Sequence, residues 1–587
     1  MAKESVEDIK LASNGLRGHI AEGLADPVLT HYEEAENVLM KFHGTYQQDD
    51  RDKRAALTKA KQEKAWSFMV RTRMPGGRMT AEQYLLHDKL GDTLANGTIR
   101  LTTRQGVQFH GVLKGGLKEV IATINRCGLT TMGACGDVVR NIMSPAAPLN
   151  DTTHQEAQQL AEEISRQFLW RSSAYCDIWL DGEKLDLLEK SNDASGVIDD
   201  LYGKVYLPRK FKMGIAVAPS NDVDIYSQDI GFVPELKDGK VDGYTLVIGG
   251  GFGMSHGQLN TRPFLAQPFG YVKRADVPAV TEAIVKTQRD HGNREERKNA
   301  RMKYLVEKEG IPWFIDQVKG RLPGVEIAPP KPIHFDTVAD KLGWHEQGDG
   351  QWYCAVYVSM GRVVNVENGP QYQSAFREIV TSLQCPVVVT PNTNLILKDI
   401  AVADKAKVDA VLAKHQVPHS EGMTAAHQVA HACVALPTCG LSLSESERVF
   451  GGLMDKIDVV LRELGLAQEP ILFRMTGCPN GCARPYNADI GFVGRAPGKY
   501  AMFVGGSITG DRLAGLEYKS VPMEEIPARV REILADFKGN RQPGERFGAY
   551  WTRFRGLGPA PSPEQFHIEF TERAAKLAGQ TVGAAEG

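Results

Sequence analysis

The sequence predicts an α+β protein built by internal duplication, with two pseudo-symmetric halves. The pentapeptide DIGFV occurs at 229–233 and again at 489–493. Each copy follows a basic, β-like run and leads into a strand that ends in glycines. Two further pairs of segments echo each other in the same order, and three ordered echoes favour duplication over chance similarity. The further pairs are IRLTTRQGVQFHGV from Ile99 with VVVTPNTNLILKDI from Val387, and WSFMVRTRMPGGRMT from Trp66 with WYCAVYVSMGRVVNV from Trp352.

Each half is predicted to contain two modules, because 587 residues are too many for one hydrophobic core. A smaller α+β module carries the IRLTTRQ-type strand, and a larger mixed α/β module carries DIGFV. Strands alternate with helical patterns of roughly 11–20 residues, which indicates mixed layers. Helices are predicted at 153–169, 279–289 and 445–464. The predicted boundaries are a polar, mostly helical N-terminal arm at 1–65, small modules at 66–150 and 331–420, large modules at 151–330 and 421–587, a PPKP linker at 329–332, and a disordered tail from Leu577.

The composition argues against several classes of function. The 69 basic and 72 acidic residues leave a net charge of −3, so nothing attracts the whole chain to nucleic acid or to a membrane. The N-terminus shows no secretory signal, and no apolar run approaches the ~20 residues of a membrane span. Nine thinly spread cysteines fit a reducing cytoplasm, where disulfides are rare. We therefore expect a cytoplasmic protein whose partners include neither nucleic acid nor membrane.

Four cysteines near the C-terminal end carry the strongest chemical signal. Cys433 and Cys439 have five residues between them, Cys478 and Cys482 have three, and 38 residues separate the pairs. Four thiolates at such positions can hold an iron–sulfur cube. The second pair lies in TGCPNGCAR, where small and turn-forming residues let the backbone wrap a bulky inorganic core. These cysteines predict a redox enzyme.

A zinc-stapled protein that binds anions or RNA is the alternative from another class. Four cysteines often hold structural zinc, but zinc pairs usually have two to four residues between cysteines, and the first pair here is wider. The net charge is slightly negative and no aromatic-rich basic stripe is present, which argues against RNA. The visible spectrum of the pure protein separates the two hypotheses.

Patterned cations make up the second constellation, and most of them lie in the N-terminal half. Lys210 and Lys212 fall on one side of an extended run with apolar neighbours, and two like charges there are costly unless an anion neutralises them. Arg100, Arg104, Gln108 and His110 share a parity, so all four would share a face if the strand continues through them. A helix is expected over 294–301. The other cations of the constellation are Arg71, Arg73, Arg140, Arg209, Arg294, Arg297 and Arg301.

The two constellations lie in different halves of the duplication. All four motif cysteines are in the C-terminal half, and most of the patterned arginines and lysines are in the N-terminal half. Duplicated halves that diverge in this way can build one site together. We therefore expect the two halves to share a single site at their interface.

Motifs along nearly the whole chain resemble those of a known family. They are FHGTYQQ, RxRxPGG, IRLTTRQGVQFHG, VRN, LPRKFK, QRDHGNRxxRKNARxKY, the wider cysteine pair and TGCPNGC. In these motifs the chain resembles the sirohaem- and 4Fe–4S-containing sulfite and nitrite reductases, and within them the assimilatory sulfite reductase haemoproteins. The resemblance implies ferredoxin-like small modules, with sirohaem and a 4Fe–4S cluster as cofactors.

The resemblance also implies a role for each matching residue. Cys433, Cys439, Cys478 and Cys482 would ligate the cube, and the Cys482 thiolate would also reach the sirohaem iron. Asn480 would order the cluster loop. The substrate oxyanion would be bound by Arg71, Arg140, Lys210 and Lys212. Sirohaem would be held by Arg100, Arg104, Gln108, Asn141, Arg209 and Arg301.

The activity implied by the resemblance is six-electron reduction of sulfite to sulfide in sulfate assimilation and cysteine biosynthesis. A ferredoxin-type nitrite reductase is the closest competitor. In that branch the second lysine of the KFK pair is an asparagine, whereas this chain has Lys212, and the FHGTYQQ arm also resembles the sulfite branch. Sulfite is therefore the expected substrate.

The electron donor is expected to be a separate protein. The glycine cluster GGGFGMSHG from Gly249 fails the dinucleotide-binding fingerprint, because Met254 and His256 stand where a further glycine is needed. In the family the donor is either a ferredoxin or a flavoprotein reductase that uses NADPH. The segment 133–148 resembles the ferredoxin-using branch, and both donors stay open.

Overall fold

The computed structural model describes residues 4–170, 178–180, 183–185, 199–255, 257–420, 422–556, 561 and 563–567, so the tail predicted from Leu577 lies outside it. The helices are α1 (Val6–Ala12), α2 (Ile20–Ala25), α3 (Glu34–Met40), α4 (Arg51–Lys59), α5 (Ala81–Leu94), α6 (Leu117–Arg126), α7 (Thr152–Gln167), α8 (Val277–His291), α9 (Met302–Arg321), α10 (Tyr372–Leu383), α11 (Lys405–Lys414), α12 (Ala425–Val429), α13 (Glu447–Glu463), α14 (Ile526–Asn540) and α15 (Phe547–Phe554).

The strands form four larger sheets and one hairpin. They are β1 (Thr45–Asp49), β2 (Trp66–Arg71), β3 (Arg78–Met79), β4 (Ile99–Leu101), β5 (Val107–Val112), β6 (Ile178–Leu180), β7 (Glu183–Leu185), β8 (Met213–Ile215), β9 (Ile230–Lys237), β10 (Lys240–Ile248), β11 (Gln267–Lys273), β12 (Gly343–Glu346), β13 (Trp352–Val356), β14 (Arg362–Val363), β15 (Val387–Val389), β16 (Leu395–Ile400), β17 (His431–Ala432), β18 (Phe473–Thr476), β19 (Ile490–Ala496), β20 (Lys499–Val504) and β21 (Gly515–Pro522).

The two small modules exchange strands. The first sheet has the order β1-β2-β5-β4-β14, and the second has the order β12-β13-β16-β15-β3. Strand β14 belongs to the second half of the chain and pairs with β4, while β3 belongs to the first half and pairs with β15. Both sheets contribute to one hydrophobic core. Each small module is completed by the other, which gives the pair a pseudo-two-fold arrangement.

The two large modules repeat one plan around the DIGFV segments. Sheet β11-β10-β9-β8 contains the first copy, and sheet β17-β18-β19-β20-β21 contains the second. Strand β8 runs parallel to β9, and β18 runs parallel to β19. The leading aspartate has the same job in each copy: Asp229 accepts from the Lys212 N–H (2.8 Å), and Asp489 accepts from the Leu472 N–H (2.9 Å). The predicted α+β fold and its duplication are confirmed.

Several predicted elements agree with the structure. The helices expected at 153–169, 279–289 and 445–464 are α7, α8 and α13, each within a few residues of the expected bounds. The arm contains helices α1 to α4, and it also supplies strand β1, which pairs with β2. The module boundaries stay predictions. No helix in the described part of the chain is both long and apolar enough to cross a bilayer.

One local expectation was wrong. Residues 294–301 form one 3₁₀ turn at Arg297–Asn299 rather than a helix. The Asn293 side chain accepts the Glu296 N–H (2.9 Å) and the Glu296 side chain accepts the Lys298 N–H (3.1 Å), so side chains compete with helical hydrogen bonding. The segment from Ile99 forms a hairpin of β4 and β5, so no single strand continues through it, and the antiparallel pairing places Arg100 opposite Gln108.

Candidate functional site

The four motif cysteines come together at the ends of two parallel strands. Cys433 follows β17, and Cys478 and Cys482 lie in the loop that follows β18. The Gly477 N–H donates to the Cys433 sulfur (3.3 Å), and the Asn480 side-chain amide donates to the Cys478 sulfur (3.5 Å). All four thiols are free. The predicted iron–sulfur ligands therefore face one another across one loop pair.

Electrostatics shows how closely these thiols are gathered. Burial, together with the neighbouring Cys482 and Cys478, raises the pKa of Cys433 to about 12. Burial and Cys482 raise the pKa of Cys478 to about 12 and that of Cys439 to about 11. Four thiolates in this place need a cationic group between them, which is the charge that a metal cluster supplies.

The loop geometry also fits a bulky inorganic group. A Cβ at Gly477 would lie 2.1 Å from the Ser442 hydroxyl and 2.6 Å from the Ser444 carbonyl, so only glycine lets the two cysteine loops approach this closely. Within the described ranges, no three His, Cys, Asp or Glu side chains are close enough to share a single metal ion.

Arg71 and Arg140 converge on the GACG turn at 133–136. The Arg71 guanidinium lies 3.3 Å from the Cys135 sulfur. Arg140 donates to the carbonyls of Gly136 (2.8 Å) and Ala134 (3.1 Å). Carbonyl oxygens orient both guanidiniums without neutralising them, so their positive charge stays available to an anion.

Lys210 and Lys212 belong to the same cluster of cations, because the charges of Arg140 and Arg104 act on them. Burial lowers the pKa of Lys210 to about 7, helped by the guanidiniums of Arg209 and Arg301, while the Cys482 thiol acts in the opposite direction. Burial, followed by Arg104 and Arg301, lowers the pKa of Lys212 well below its usual value. Buried lysines among arginines are costly as cations unless a polyanion joins them. Sirohaem, with its carboxylates, fits this requirement.

Arg104 and Arg301 belong to the same cluster of cations. Backbone carbonyls hold Arg104, and the Asp229 carboxylate holds Arg301. Arg104 donates to the carbonyls of Asn141 (3.2 Å) and Met213 (3.3 Å). Burial, with the nearby Arg140, lowers the pKa of Arg104 to about 9. Arg301 forms a buried ion pair with Asp229 (2.8 Å). Both guanidiniums are therefore fixed before any ligand arrives.

Gln108, Asn141 and Asn480 have polar contacts within the site. With the oxygen of its amide toward Arg71, Gln108 accepts from the Arg71 Nε (3.2 Å). The Asn141 side-chain amide holds the backbone of Met74. It donates to the Met74 carbonyl (2.6 Å) and accepts the Met74 N–H (3.0 Å). Its contacts are with backbone, which makes it a brace for the RMPGG turn.

Two further predicted sirohaem contacts, Arg100 and Arg209, lie beside carboxylates. Arg100 donates to Glu447 (2.8 Å) and to the Ala432 carbonyl (2.7 Å), which places it beside the cluster cysteines. Arg209 lies 3.8 Å from Asp137 and is about one-third exposed. Arg73, one of the patterned cations, is sealed inside the fold, where it donates to carbonyls of Val139 and Ser165.

The sequence reasoning missed several residues of the site. Tyr46 lies beside Arg71, Arg140 and Cys135, and burial raises its pKa. It belongs to the FHGTYQQ motif, which was the available signal. Asp229 holds Arg301, and its presence in both copies of DIGFV was a second signal. Burial lowers the pKa of Lys303 well below its usual value, and the lysine donates to the Gly253 carbonyl (2.7 Å), a pairing that no local pattern reveals.

Comparisons with known proteins agree with this geometry. The "Nitrite and sulphite reductase 4Fe-4S domain" model matches residues 135–325, and the "Nitrite/Sulfite reductase ferredoxin-like half domain" model matches 60–127. A sulfite reductase (NADPH) hemoprotein beta-component from Staphylococcus saprophyticus is 43% identical over 96% of this chain and 98% of its own. The chain belongs to this reductase family. The counterpart from Geobacillus kaustophilus is 43% identical over 96% of this chain and 97% of its own.

A solved structure supports the fold of this family member. The Mycobacterium tuberculosis NirA protein has a TM-score of 0.74 and 22% identity over 94% of this chain and 96% of its own. The 43% identity to the two relatives confirms the resemblance drawn from the motifs, and with it the oxidoreductase class. The matched 4Fe–4S domain region, 135–325, covers the first DIGFV copy, while the four cysteines lie in the second.

Proposed function

We propose that this reductase converts sulfite to sulfide in sulfur assimilation, with sirohaem and a 4Fe–4S cluster as its cofactors. The observation that carries the proposal is the contact between the two groups: the Thr103 hydroxyl donates to the Cys482 carbonyl (3.4 Å), and the adjacent Arg104 donates to the Asn141 carbonyl next to Arg140 (3.2 Å). Anion binding and electron supply therefore meet at one place. When bound, the two cofactors would pass the donor's electrons to the substrate held here.

The four cations Arg71, Arg140, Lys210 and Lys212 have different roles: the arginines supply fixed positive charge, and a lysine exchanges a proton. Sulfite is a dianion when fully deprotonated, and Arg71 and Arg140 offer it fixed charge, since arginine stays protonated. Reduction consumes protons as oxygens leave as water. Lys210, with its pKa lowered to about 7, holds a proton that it can release and regain near neutral pH. Lys212 beside it completes the group that binds the oxyanion.

The remaining site residues are proposed to hold the cofactors. Arg104, Gln108 and Arg301 border the cavity and are suited to sirohaem carboxylates. Arg100 and Arg209 would contact the same groups from the cluster side and from the Asp137 side. Asn141 and Asn480 would act as braces. The cluster ligands are proposed to be Cys433, Cys439, Cys478 and Cys482, with Cys482 next to both groups.

The electron donor is proposed to be a separate flavoprotein that uses NADPH. The relatives' printed names include NADPH, while this chain lacks a dinucleotide fingerprint at its glycine cluster. In the structure that cluster packs on the cysteine loop, because the Met254 N–H donates to the Pro479 carbonyl (3.2 Å). The free thiols fit a reducing cytoplasm as the place of action.

The direct test is to purify the protein from a host that makes sirohaem. We expect chlorin-type visible bands, iron and labile sulfide, together with release of sulfide from sulfite when an artificial low-potential donor is supplied. A colourless protein with one zinc would contradict both the cofactors and the reaction.

The choice between sulfite and nitrite is tested at Lys212. Lys212→Asn removes one cation facing the substrate, and the dianion loses more than the monoanion does. We expect the kcat/KM ratio of sulfite to nitrite to fall about tenfold, the size of one lost charge-assisted hydrogen bond. Lys212→Arg keeps the charge and is the matched control. An unchanged ratio in Lys212→Asn would remove the basis for preferring sulfite.

A further inference from the structure

The N-terminal arm reaches across the molecule to the loop that carries Cys439. Arg51, the first residue of α4, donates its backbone N–H to the Pro437 carbonyl (3.2 Å). Its guanidinium Nη1 donates to the carbonyls of Cys439 (3.0 Å) and Ser442 (2.6 Å). One side chain therefore bridges the two sides of the loop tip formed by Gly440 and Leu441.

The loop tip needs such a bridge because it projects into solvent. Leu441 is 69% exposed, and the loop between β17 and α13 contains no helix or strand in the described structure. A second tie from the same helix lies nearby, where Asp52 accepts from Arg448 (2.6 Å) at the start of α13. The first turn of α4 thus holds both ends of the segment that presents Cys439.

We propose that Arg51 is a positioning residue for the iron–sulfur cluster, acting through the Cys439 loop. This inference rests on the proposed function, since it concerns the ligand set named there. Hydrogen bonds from a charged donor to two carbonyls fix the backbone on either side of the loop tip, and so fix the direction of the Cys439 sulfur. The arm lies outside both regions matched by the family models.

A variant series on α4 tests the proposal in the holoenzyme. Arg51→Gln removes the charge and the double contact, and Arg51→Lys keeps the charge but has no planar fork. Lys53→Gln is the matched control, because Lys53 is exposed on the same helix and pairs with Asp50 (3.1 Å). The rate at which cluster absorbance bleaches under an iron chelator is measured together with the thermal unfolding midpoint.

The expected order of bleaching rates is Arg51→Gln fastest, then Arg51→Lys, then Lys53→Gln at the wild-type rate. Loss of a charge-assisted contact corresponds to bleaching about tenfold faster in Arg51→Gln. The thermal midpoint should stay unchanged, because the loop tip lies outside the hydrophobic cores. Equal bleaching in Arg51→Gln and Lys53→Gln would overturn the proposal, as would faster bleaching that tracks a lower midpoint.

A second measurement does not depend on bound cofactors. In the cofactor-free chain, we expect Cys439 to react faster with a thiol reagent in Arg51→Gln than in the wild type, with Cys433 unchanged. Peptide mass spectrometry locates the label. If the wild type binds no cluster, the proposed function is wrong. The labelling result still tests whether Arg51 fixes the conformation of the Cys439 loop. Equal labelling of Cys439 in both chains would show that it does not.

Discussion

The two copies of the DIGFV module share a backbone and differ in the loop before it. With the aspartates Asp229 and Asp489 aligned, residues 217–222 of the first copy correspond to 477–482 of the second. Ala218 then stands where the second copy has Cys478, and Asp222 stands where it has Cys482. The first copy has the frame of a cluster loop without its ligands. The backbone shape of this loop is therefore independent of whether the loop carries cysteine ligands.

Common hydrogen bonds show how far the frame is conserved between the copies. Asp224 and Arg484 occupy equivalent positions and have left-handed φ values of 56° and 57°. The Gly249 N–H donates to the Asp229 carbonyl (2.9 Å), as the Gly505 N–H does to that of Asp489 (2.9 Å). Both copies thus keep the same backbone geometry in this loop, although the side chains differ, and the cysteines occur only in the second copy.

In the small modules it is the first copy, not the second, that supplies side chains to the site. Thr102 and Thr390 occupy equivalent positions, which places Asn392 in the second copy where the first has Arg104. Asn392 donates to Asp340 (2.8 Å), and Asn394 does the same (2.8 Å). The first small module presents cations and the second binds its own acid. One composite site results, with cations from one half and thiols from the other.

The largest expected effect is loss of the cluster and of activity on substitution in the second-copy loop, with no change on the equivalent substitution in the first-copy loop. Cys478→Ser should abolish cluster incorporation and sulfite reduction, because an alcohol is a poor iron ligand in place of a thiolate. The equivalent change in the first copy, Ala218→Ser, lies at an exposed position and should leave both unchanged. Iron content and sulfide release measure the contrast. A Cys478→Ser protein that retains four irons and full activity would contradict the assignment of the cluster to the second copy.

The next effect concerns the boundary between the copies. Arg474 and Asp224 form an ion pair (2.9 Å) in which both side chains are fully buried, and the position equivalent to Arg474 in the first copy is Gly214. Arg474→Met leaves Asp224 with less compensation, so we expect a loss of about 3–5 kcal/mol in the free energy of unfolding. Urea unfolding measures it.

An exposed ion pair provides the control for this change. Arg531 pairs with Glu463 on the surface, and Arg531→Gln should leave the urea midpoint nearly unchanged, because exposed pairs contribute little. Equal midpoints for Arg474→Met and wild type would show that the boundary between the copies does not depend on the buried pair.

The duplication, the main helices and the cysteine group could be predicted from the sequence because each leaves a local or repeated pattern. The strand exchange could not, because β3 and β14 are two residues long and carry no period. The pairing of Arg100 with Glu447, 347 positions away, could not be predicted either. Long-range polar pairs of this kind have no signature in one sequence. The aspartate repeated in both DIGFV copies was a usable signal, because Asp229 forms the buried ion pair with Arg301.

The smallest effect tests what Asp222 does in place of a cysteine. Asp222 is buried, one carboxyl oxygen accepts the Ala146 N–H (2.8 Å), and the other has no hydrogen-bond partner in the described structure. Burial raises the pKa of Asp222 to about 7; the nearby Asp340 raises it too, while Arg484 lowers it. The folded protein therefore keeps a proton here at pH values where the unfolded chain, with an ordinary aspartate, has lost it.

The sign of the pH dependence follows from this difference. Between about pH 4 and 7 the folded state binds more protons at this site than the unfolded state, so stability falls as pH rises, by up to about 1.4 kcal/mol per pH unit. Asp222→Asn keeps the oxygen that accepts from Ala146 and removes the titration. The free energy of unfolding of Asp222→Asn minus that of wild type should increase from pH 5 to pH 7 in urea titrations. Asp489, whose pKa burial also raises to about 7, is present in both proteins and cancels from the difference. A difference that stays flat over this range would mean that Asp222 is ionised in the folded protein, and that the first copy tolerates a charge where the second holds a thiol.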